Sequence, residues 1–343
     1  MKAHVLPRFG LDHLQIATRP DPEPGPGQVQ LRLRAASLNY RDLLMVEGAY
    51  DPRQPLPLIP GSDGVGVVEA VGPPDAGDGP QPPLPIGARV MTLFAQGWRA
   101  GAPHYATARR TLGGPLDGTL AERIVLDADG VLPVPAHLSD AEAATLTCAG
   151  VTAWTALVTH GGVRAGDTVL VLGTGGVAIF ALQFARLLGA RAIVITSSPA
   201  KCRRAEALGA WRTVDRTVHP DWGDRVRRMT DGGVDAVVEL GGAGTLPQSL
   251  RAVRMGGTIS LIGVLAGRLG DLDLAPIFMK QVRLQGVLVG SRADARAMLR
   301  AIDAHRLRPV VDRVYPFADA ARALGDLRQG HHIGKLAIDL ASA

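Results

Sequence analysis

The chain has 343 residues, enough for two domains, and its 46% hydrophobic and 20% charged content describes an ordinary globular protein. Its 37 basic and 32 acidic residues leave a formal charge of +5, with scattered cations and no aromatic-interleaved basic stripe, so no nucleic-acid partner is expected. Cys148 and Cys202 are its two cysteines, too few for a disulfide framework or a four-cysteine metal site.

Pro7 and Arg8 interrupt the opening residues, so no secretory leader is expected and the protein is read as cytoplasmic. Residues 28–36, QVQLRLRAA, alternate as a half-buried strand with Val29, Leu31 and Leu33 on one face. Residues 64–71 and 88–93 read as further strands. Between them residues 72–87, GPPDAGDGPQPPLPIG, are too rich in proline and glycine to continue a sheet or helix, which makes them a surface loop. Up to about residue 135 the chain therefore describes a small, mostly β domain.

From about residue 151 apolar strands alternate with helices, the pattern of a doubly wound parallel sheet in an α/β domain. Its opening stretch, residues 167–190, reads DTVLVLGTGGVAIFALQFARLLGA and carries the most information. Residues 169–172 suit a buried strand, and Val177, Phe180, Ala181, Phe184, Ala185 and Leu188 recur at helical spacing. Gly173 allows a tight turn, Gly175 lets the backbone approach a pyrophosphate, and Ala178 is small enough for close packing of helix on strand. Gly173, Thr174, Gly175, Gly176 and Val177 are thus candidate phosphate-binding residues at a helix N-terminus. Glycines that serve a turn and nothing else are the bland alternative. Although residues 168–184 carry no charge, their glycines and the flanking Asp167 and Arg186 argue against a membrane span.

Residues 192–196 read as the second strand of this domain and 200–208 as a helix. The strand leads into Thr196, Ser197 and Ser198 with no acid to hold ribose hydroxyls, and Lys201, Arg203 and Arg204 follow. Hydroxyls and cations there suit a 2'-phosphate, so NADP(H) is expected over NAD(H); an exposed helix face is the alternative for the cations. Residues 234–240, 258–262 and 282–289 supply further strands, 293–305 a helix, and 335–340, KLAIDL, a last strand. The expected domains are residues 1–150 with 291–343, and residues 151–290.

Several segments follow one another in a telling order: SLNYRDLLMVEGAY (37–50), PGSDGVGVVEAVG (60–72), GTLAERIVL (118–126), CAGVTAW (148–154), LGTGGVAIFALQFARLLGA (172–190), GGTISLIGVLAG (256–267) and HIGKLAI (332–338). Through them the chain resembles the medium-chain dehydrogenase/reductase superfamily, in its zinc-free quinone oxidoreductase-like, zinc-type alcohol dehydrogenase-like branch. The resemblance implies a GroES-like, mostly β catalytic domain plus a Rossmann domain. In zinc-holding members a Cys lies near the start of the first segment and a Gly-His-Glu matches residues 61–63. Here Leu38, Asn39 and Tyr40 stand in the first place, and Ser62 and Asp63 follow Gly61 in the second. Cys148 falls about where a third ligand would be, and residues 94–114 contain no Cys for a structural zinc, so no metal is expected. His104, His137, His160, His331 and His332 lack neighbouring ligand partners.

The resemblance puts Asn39, Tyr40 and Tyr50 on the substrate side as candidate donors to an acceptor oxygen, with plain packing as the alternative, and Arg41 with Asp42 is read as a local ion pair. It puts Thr152 beside the nicotinamide, Gly241 and Gly242 after a strand, Gly263, Val264 and Leu265 against the nicotinamide, and Leu288, Val289 and Ser291 along its other edge. Lys335 is expected near the phosphates, while Val264, Leu265 and Leu288 are otherwise core residues. The implied activity is a zinc-independent, NADPH-dependent hydride transfer to a small molecule: a quinone, an activated alkene or a related carbonyl compound. An alcohol/aldehyde dehydrogenase and a non-catalytic NADPH-binding protein are the alternatives. No membrane partner is expected, and a homodimer is implied through residues 282–289.

Overall fold

The computed structural model describes residues 1–75 and 84–342. They form two compact units, Gly150–Gly290 and Met1–Ala149 with Ser291–Ala343.

The unit Gly150–Gly290 is built on six strands: β1 (Thr168–Leu172), β2 (Arg191–Thr196), β3 (Arg212–Asp215), β4 (Val234–Glu239), β5 (Val253–Leu261) and β6 (Arg283–Gly286). Their order is β3-β2-β1-β4-β5-β6, and every neighbouring pair is parallel. The order reverses between β1 and β4, the doubly wound arrangement in which ligands bind outside the carboxyl ends of the strands. Every residue of β1 is buried, as an unbroken apolar run requires of a strand covered on both faces. Its uncharged continuation turns and becomes helix α1 (Gly176–Leu187). Among the described residues no helix is long and apolar enough to cross a membrane. Helix α1 buries Ala178, Phe180, Ala181, Phe184 and Ala185, and Phe184 meets Trp154 edge-on with ring centroids 5.4 Å apart.

Two strands depart from the apolar pattern. Strand β5 begins at Val253, ahead of residues 258–262, because Val253 and Thr258 pair with Val234 and Ala236 across an irregularity that takes up Arg254, Met255 and two glycines. Strand β6 covers Arg283–Gly286 and not 282–289, since Val289 has φ of 50°, which an extended strand cannot contain. Strand β3 and the helices Trp222–Met229 and Leu246–Ala252 were not among the predicted elements; RTVD in β3 is too short and polar to stand out.

In the other unit a sheet runs through Val311–Pro316, Lys335–Asp339, Gln28–Ser37, Asp63–Val71, Arg89–Thr92 and Val131–Pro133, and Arg123–Asp127 pairs off this path with Gln28–Ser37. Val29, Leu31 and Leu33 enter a core with Leu43, Leu120 and Tyr315, as the alternation of the strand requires. Ala337 pairs antiparallel with Ser37, and the Leu38 amide donates to Leu336 O at 2.9 Å. This register lays the start of the last strand against Leu38 and Asn39, where the helix Tyr40–Val46 begins. Within the loop expected over 72–87, residues 72–75 have neither helix nor strand, and residues 76–83 lie outside the described residues.

Candidate active site

In the unit Gly150–Gly290 the site is made largely of backbone. Strand β1 hands over to Gly173, whose φ of 85° favours glycine and whose amide donates to Ile195 O of β2 at 2.7 Å. A Cβ added at Gly173 or Gly175 would meet nothing within 4 Å, so open space lies over both. The first bond of α1 runs from Ile179 N to Gly175 O (2.9 Å), and no side chain caps the helix. The amides of Gly176, Val177 and Ala178 therefore precede the intrahelical ladder, as an anion site needs, while Thr174 is buried in the turn. These residues fit the pyrophosphate of a dinucleotide.

Beyond β2, Ser198 caps helix α2 (Pro199–Ala207) by accepting from the Lys201 amide at 3.3 Å, which brings Ser197, Ser198 and Lys201 into one short bend. Burial and the neighbouring Arg216 hold the Lys201 ammonium below its ordinary pKa. Arg216 carries no motif and was not foreseen. The parallel pairing of Asp215 with Thr196, and a bond from Arg216 N to Thr196 O (2.9 Å), carry it from the end of β3 to the end of β2. A cation just after a third strand is the sequence signal that marks it.

At the end of β4 the fully buried Glu239 accepts from the amides of Gly241 (2.8 Å) and Gly242 (3.1 Å), from Thr245 Oγ1 (2.6 Å) and from Ser249 Oγ. Glu239, too, escaped sequence reading, because a single acid in an apolar strand has no spacing pattern. A Cβ at Gly263 would lie 2.4 Å from Leu240 O, so the turns after β4 and β5 meet backbone to backbone. Val264, Leu265 and Leu288 are 46%, 61% and 41% exposed, which rules out the core role held open for them. Val289 is buried with its unusual positive φ, and Thr152 is buried in the helix Val151–Trp154.

Two expected cofactor residues have their side chains engaged within the protein. Ser291 Oγ accepts from the Asp294 amide at 3.2 Å and donates to its carboxylate at 2.5 Å, so this hydroxyl caps the helix Arg292–Ala304. Lys335 Nζ, 3% exposed, donates to Leu38 O (2.7 Å), Asn39 Oδ1 (2.6 Å) and Asp63 Oδ2 (3.2 Å). An ammonium has three N–H groups, so none is left for a phosphate.

Lys335 is the centre of a buried cluster in the unit Met1–Ala149 with Ser291–Ala343. Ser37 Oγ donates to Asp63 Oδ2 at 2.7 Å, and burial pushes the Asp63 carboxyl up against the opposing pull of Lys335. Asn39 Oδ1 accepts from Lys335, while its Nδ2 is buried without a hydrogen-bond partner among the described residues, so the carboxamide lies within this cluster. Arg41 and Asp42 are 3.9 Å apart at their nearest, and the pairing expected between them runs through Ser62 Oγ, which accepts from Arg41 Nη1 (2.7 Å) and donates to Asp42 Oδ1. The Arg41 guanidinium lies 4.8 Å from the ring centroid of Tyr50. Tyr40 and Tyr50 are 42% and 46% exposed, and neither hydroxyl has a hydrogen-bond partner among the described residues.

The donor set does not fit zinc. A carboxamide and a hydroxyl stand where a Cys and a His would be needed, an ammonium already lies among them, and desolvation pushes the thiol of the partly exposed Cys148 up to about 12. Among the described residues no three His, Cys, Asp or Glu side chains converge on a point.

A doubly wound parallel sheet with an open glycine turn at the end of its first strand is the arrangement of a dinucleotide-binding domain. Residues 25–136 match the alcohol dehydrogenase GroES-like domain, and residues 176–304 match the zinc-binding dehydrogenase domain. The chain is 39% identical over 313 residues to a zinc-type alcohol dehydrogenase-like protein of Schizosaccharomyces pombe, covering 89% of each. A crystal structure of an NAD-dependent alcohol dehydrogenase superposes with a TM-score of 0.89 at 37% identity, covering 99% of both chains. A crotonyl-CoA carboxylase/reductase variant solved in complex with NADP superposes with a TM-score of 0.86 at 26% identity, covering 100% of this chain and 95% of that one. The chain belongs to the medium-chain dehydrogenase/reductase superfamily. It is an NAD(P)-dependent oxidoreductase with a GroES-like domain and a Rossmann domain.

A thiol with a pKa of about 12 is ionised to about one part in ten thousand at pH 8. Iodoacetamide applied to the native protein at that pH should leave Cys148 unmodified while the unfolded chain is labelled there, as read by peptide mass spectrometry. Rapid labelling of native Cys148 would show a thiolate and reopen its candidacy as a metal ligand.

Proposed function

We propose that the protein is a zinc-independent oxidoreductase that transfers a hydride from NADPH to an activated alkene, a quinone or a related carbonyl compound. The observation that carries this reading is the pair of exposed phenols, Tyr40 and Tyr50, with unpaired hydroxyls, in a unit whose donor set does not fit a metal. A bound nicotinamide supplies the hydride. As it reaches the β-carbon of an enone, negative charge gathers on the carbonyl oxygen; a phenol O–H stabilises it by donation, and the phenol or water delivers the proton that completes reduction. Likeness to a crotonyl-CoA carboxylase/reductase supports an alkene next to a carbonyl, and the NADP in that structure agrees with the acid-free end of β2 and with Lys201 and Arg216 beside it. Oxidation of an alcohol with NAD is the second reading, favoured by the NAD-dependent neighbour.

The proposed partner is a second copy of the chain. Strand β6 ends its sheet with one edge unpaired among the described residues, and Leu269, Leu274, Phe278 and Met279 stand exposed in the segment leading to it. Light scattering of the purified protein should give the mass of two chains, and the mass of one would end the proposal.

Tyr50→Phe should lower kcat with an enone about a hundredfold, the effect of removing one donor from an oxyanion site, and leave NADPH affinity unchanged. A fully active variant would make Tyr50 a packing residue. Lys201→Ala should weaken NADPH about tenfold to a hundredfold, since a charge-assisted hydrogen bond contributes about 1.5–3 kcal/mol, and leave NADH unaffected. Titration of both coenzymes by tryptophan fluorescence reads this directly, and equal losses for the two would mean that Lys201 supports the fold instead.

A further inference from the structure

We infer that Arg41 is a positioning residue for Tyr50: its guanidinium, fixed in the fold by hydrogen bonds, lies over the phenol ring at cation–π distance and holds the ring so that the hydroxyl is aimed. This rests on the reading of Tyr50 as the donor.

The plane of Arg41 is over-determined. Nη1 donates to Ser62 Oγ (2.7 Å) and Leu112 O (2.8 Å), and Nη2 donates to Gly114 O (2.7 Å) and Thr111 Oγ1 (3.4 Å). All four terminal N–H groups are engaged, and turning the plane would strand buried acceptors. The Arg41 side chain is 10% exposed, so water is poorly placed to compensate.

Two aromatic rings lie beside the guanidinium carbon. Phe94 lies 4.9 Å away and Tyr50 lies 4.8 Å away, each measured to the ring centroid and inside the range of about 6 Å for a cation–π contact. Phe94 is buried, whereas Tyr50 keeps nearly half its surface in solvent. The hydrogen bonds of Arg41 account for a structural arginine without any need for Tyr50. The half-exposed phenol at cation–π distance is what they leave unexplained.

Tyr50 is anchored at its other end too. After the helix Tyr40–Val46 the chain turns at Gly48, with φ of 73°, where a Cβ would lie 2.7 Å from the ring of Phe9. The amides of Ala49 and Tyr50 both donate to Leu44 O, at 2.8 and 3.1 Å. With its backbone tied to Leu44 and its ring beside Arg41, the phenol has few rotamers to lose when a substrate oxygen arrives.

The test is a double-mutant cycle on enone reduction by NADPH, with NADPH affinity and Tm measured on every variant. Arg41→Lys keeps the charge but supplies neither a plane nor the reach for four acceptors. Tyr50→Phe keeps the ring and removes the hydroxyl. Each single variant should lower kcat about tenfold to a hundredfold with KM little changed, and the double variant should fall no lower than the worse single one. Because Arg41 is largely buried, Phe94→Leu serves as a second probe that removes the other ring beside the guanidinium and leaves the four hydrogen bonds. It should lower kcat about threefold beside Tyr50 and have no effect in the Tyr50→Phe background. Losses that multiply, or an Arg41→Lys enzyme as active as the wild type, would overturn the positioning role and leave Tyr50 as donor. Full activity of Tyr50→Phe would overturn both.

Discussion

A single buried charge pair governs the polar architecture of the GroES-like unit. Lys335 and Asp63 are 3% and 0% exposed; their 3.2 Å attraction opposes the cost of burial, Lys335 also donates to Leu38 and Asn39, and Ser37 donates to Asp63 Oδ2, while burial still holds the Asp63 carboxyl above its ordinary pKa. Removing either partner would strand a charge, at a cost of about 3–5 kcal/mol. The pair also dictates topology. Lys335 can reach Asp63 because the last strand is threaded beside Gln28–Ser37, which in turn pairs Ser37 with Asp63. Three segments far apart in sequence are thereby joined at one ion pair, and Asn39 is drawn into the cluster.

The two units treat polar chemistry in different materials. In the Rossmann unit the ligand-facing groups are amides, and side chains such as Glu239 act by setting turns. In the GroES-like unit the exposed donors are side chains, and backbone carbonyls act as fixed acceptors that orient Arg41 and Lys335. On the proposed reading, the contrast follows from what each unit would recognise. A pyrophosphate is an invariant anion suited to a helix terminus, whereas an acceptor oxygen must be met by a donor placed for one reaction.

Much of the Rossmann sheet could be read from the sequence because its information is local. The buried strand β1, the glycine turn and the apolar face of α1 lie within 24 consecutive residues, and each obeys a short-range rule. Strand β3 was silent because three of its four residues are polar, and β6 was overdrawn because nothing in VRLQGVLV reveals that Val289 leaves the extended region. The side-chain networks were the least legible. The partners of Lys335 stand 272 to 297 positions away, and those of Arg41 stand 21 to 73 away, beyond the reach of any periodicity. Family likeness located Asn39, Ser291 and Lys335 near chemistry, but their hydrogen bonds assign them to a charge cluster, a helix cap and an ion pair.

The buried carboxylate of Glu239 has a thermodynamic consequence. Two amides and two hydroxyls converge on it, so the loop after β4 is ordered by contacts made wholly within the protein. A ligand resting there has little chain entropy to remove, and its affinity is not diminished by a folding step at the moment of contact. On the proposed reading the loop would act as a rigid rail, so that coenzyme could come and go without melting and re-forming the surface on which it rests.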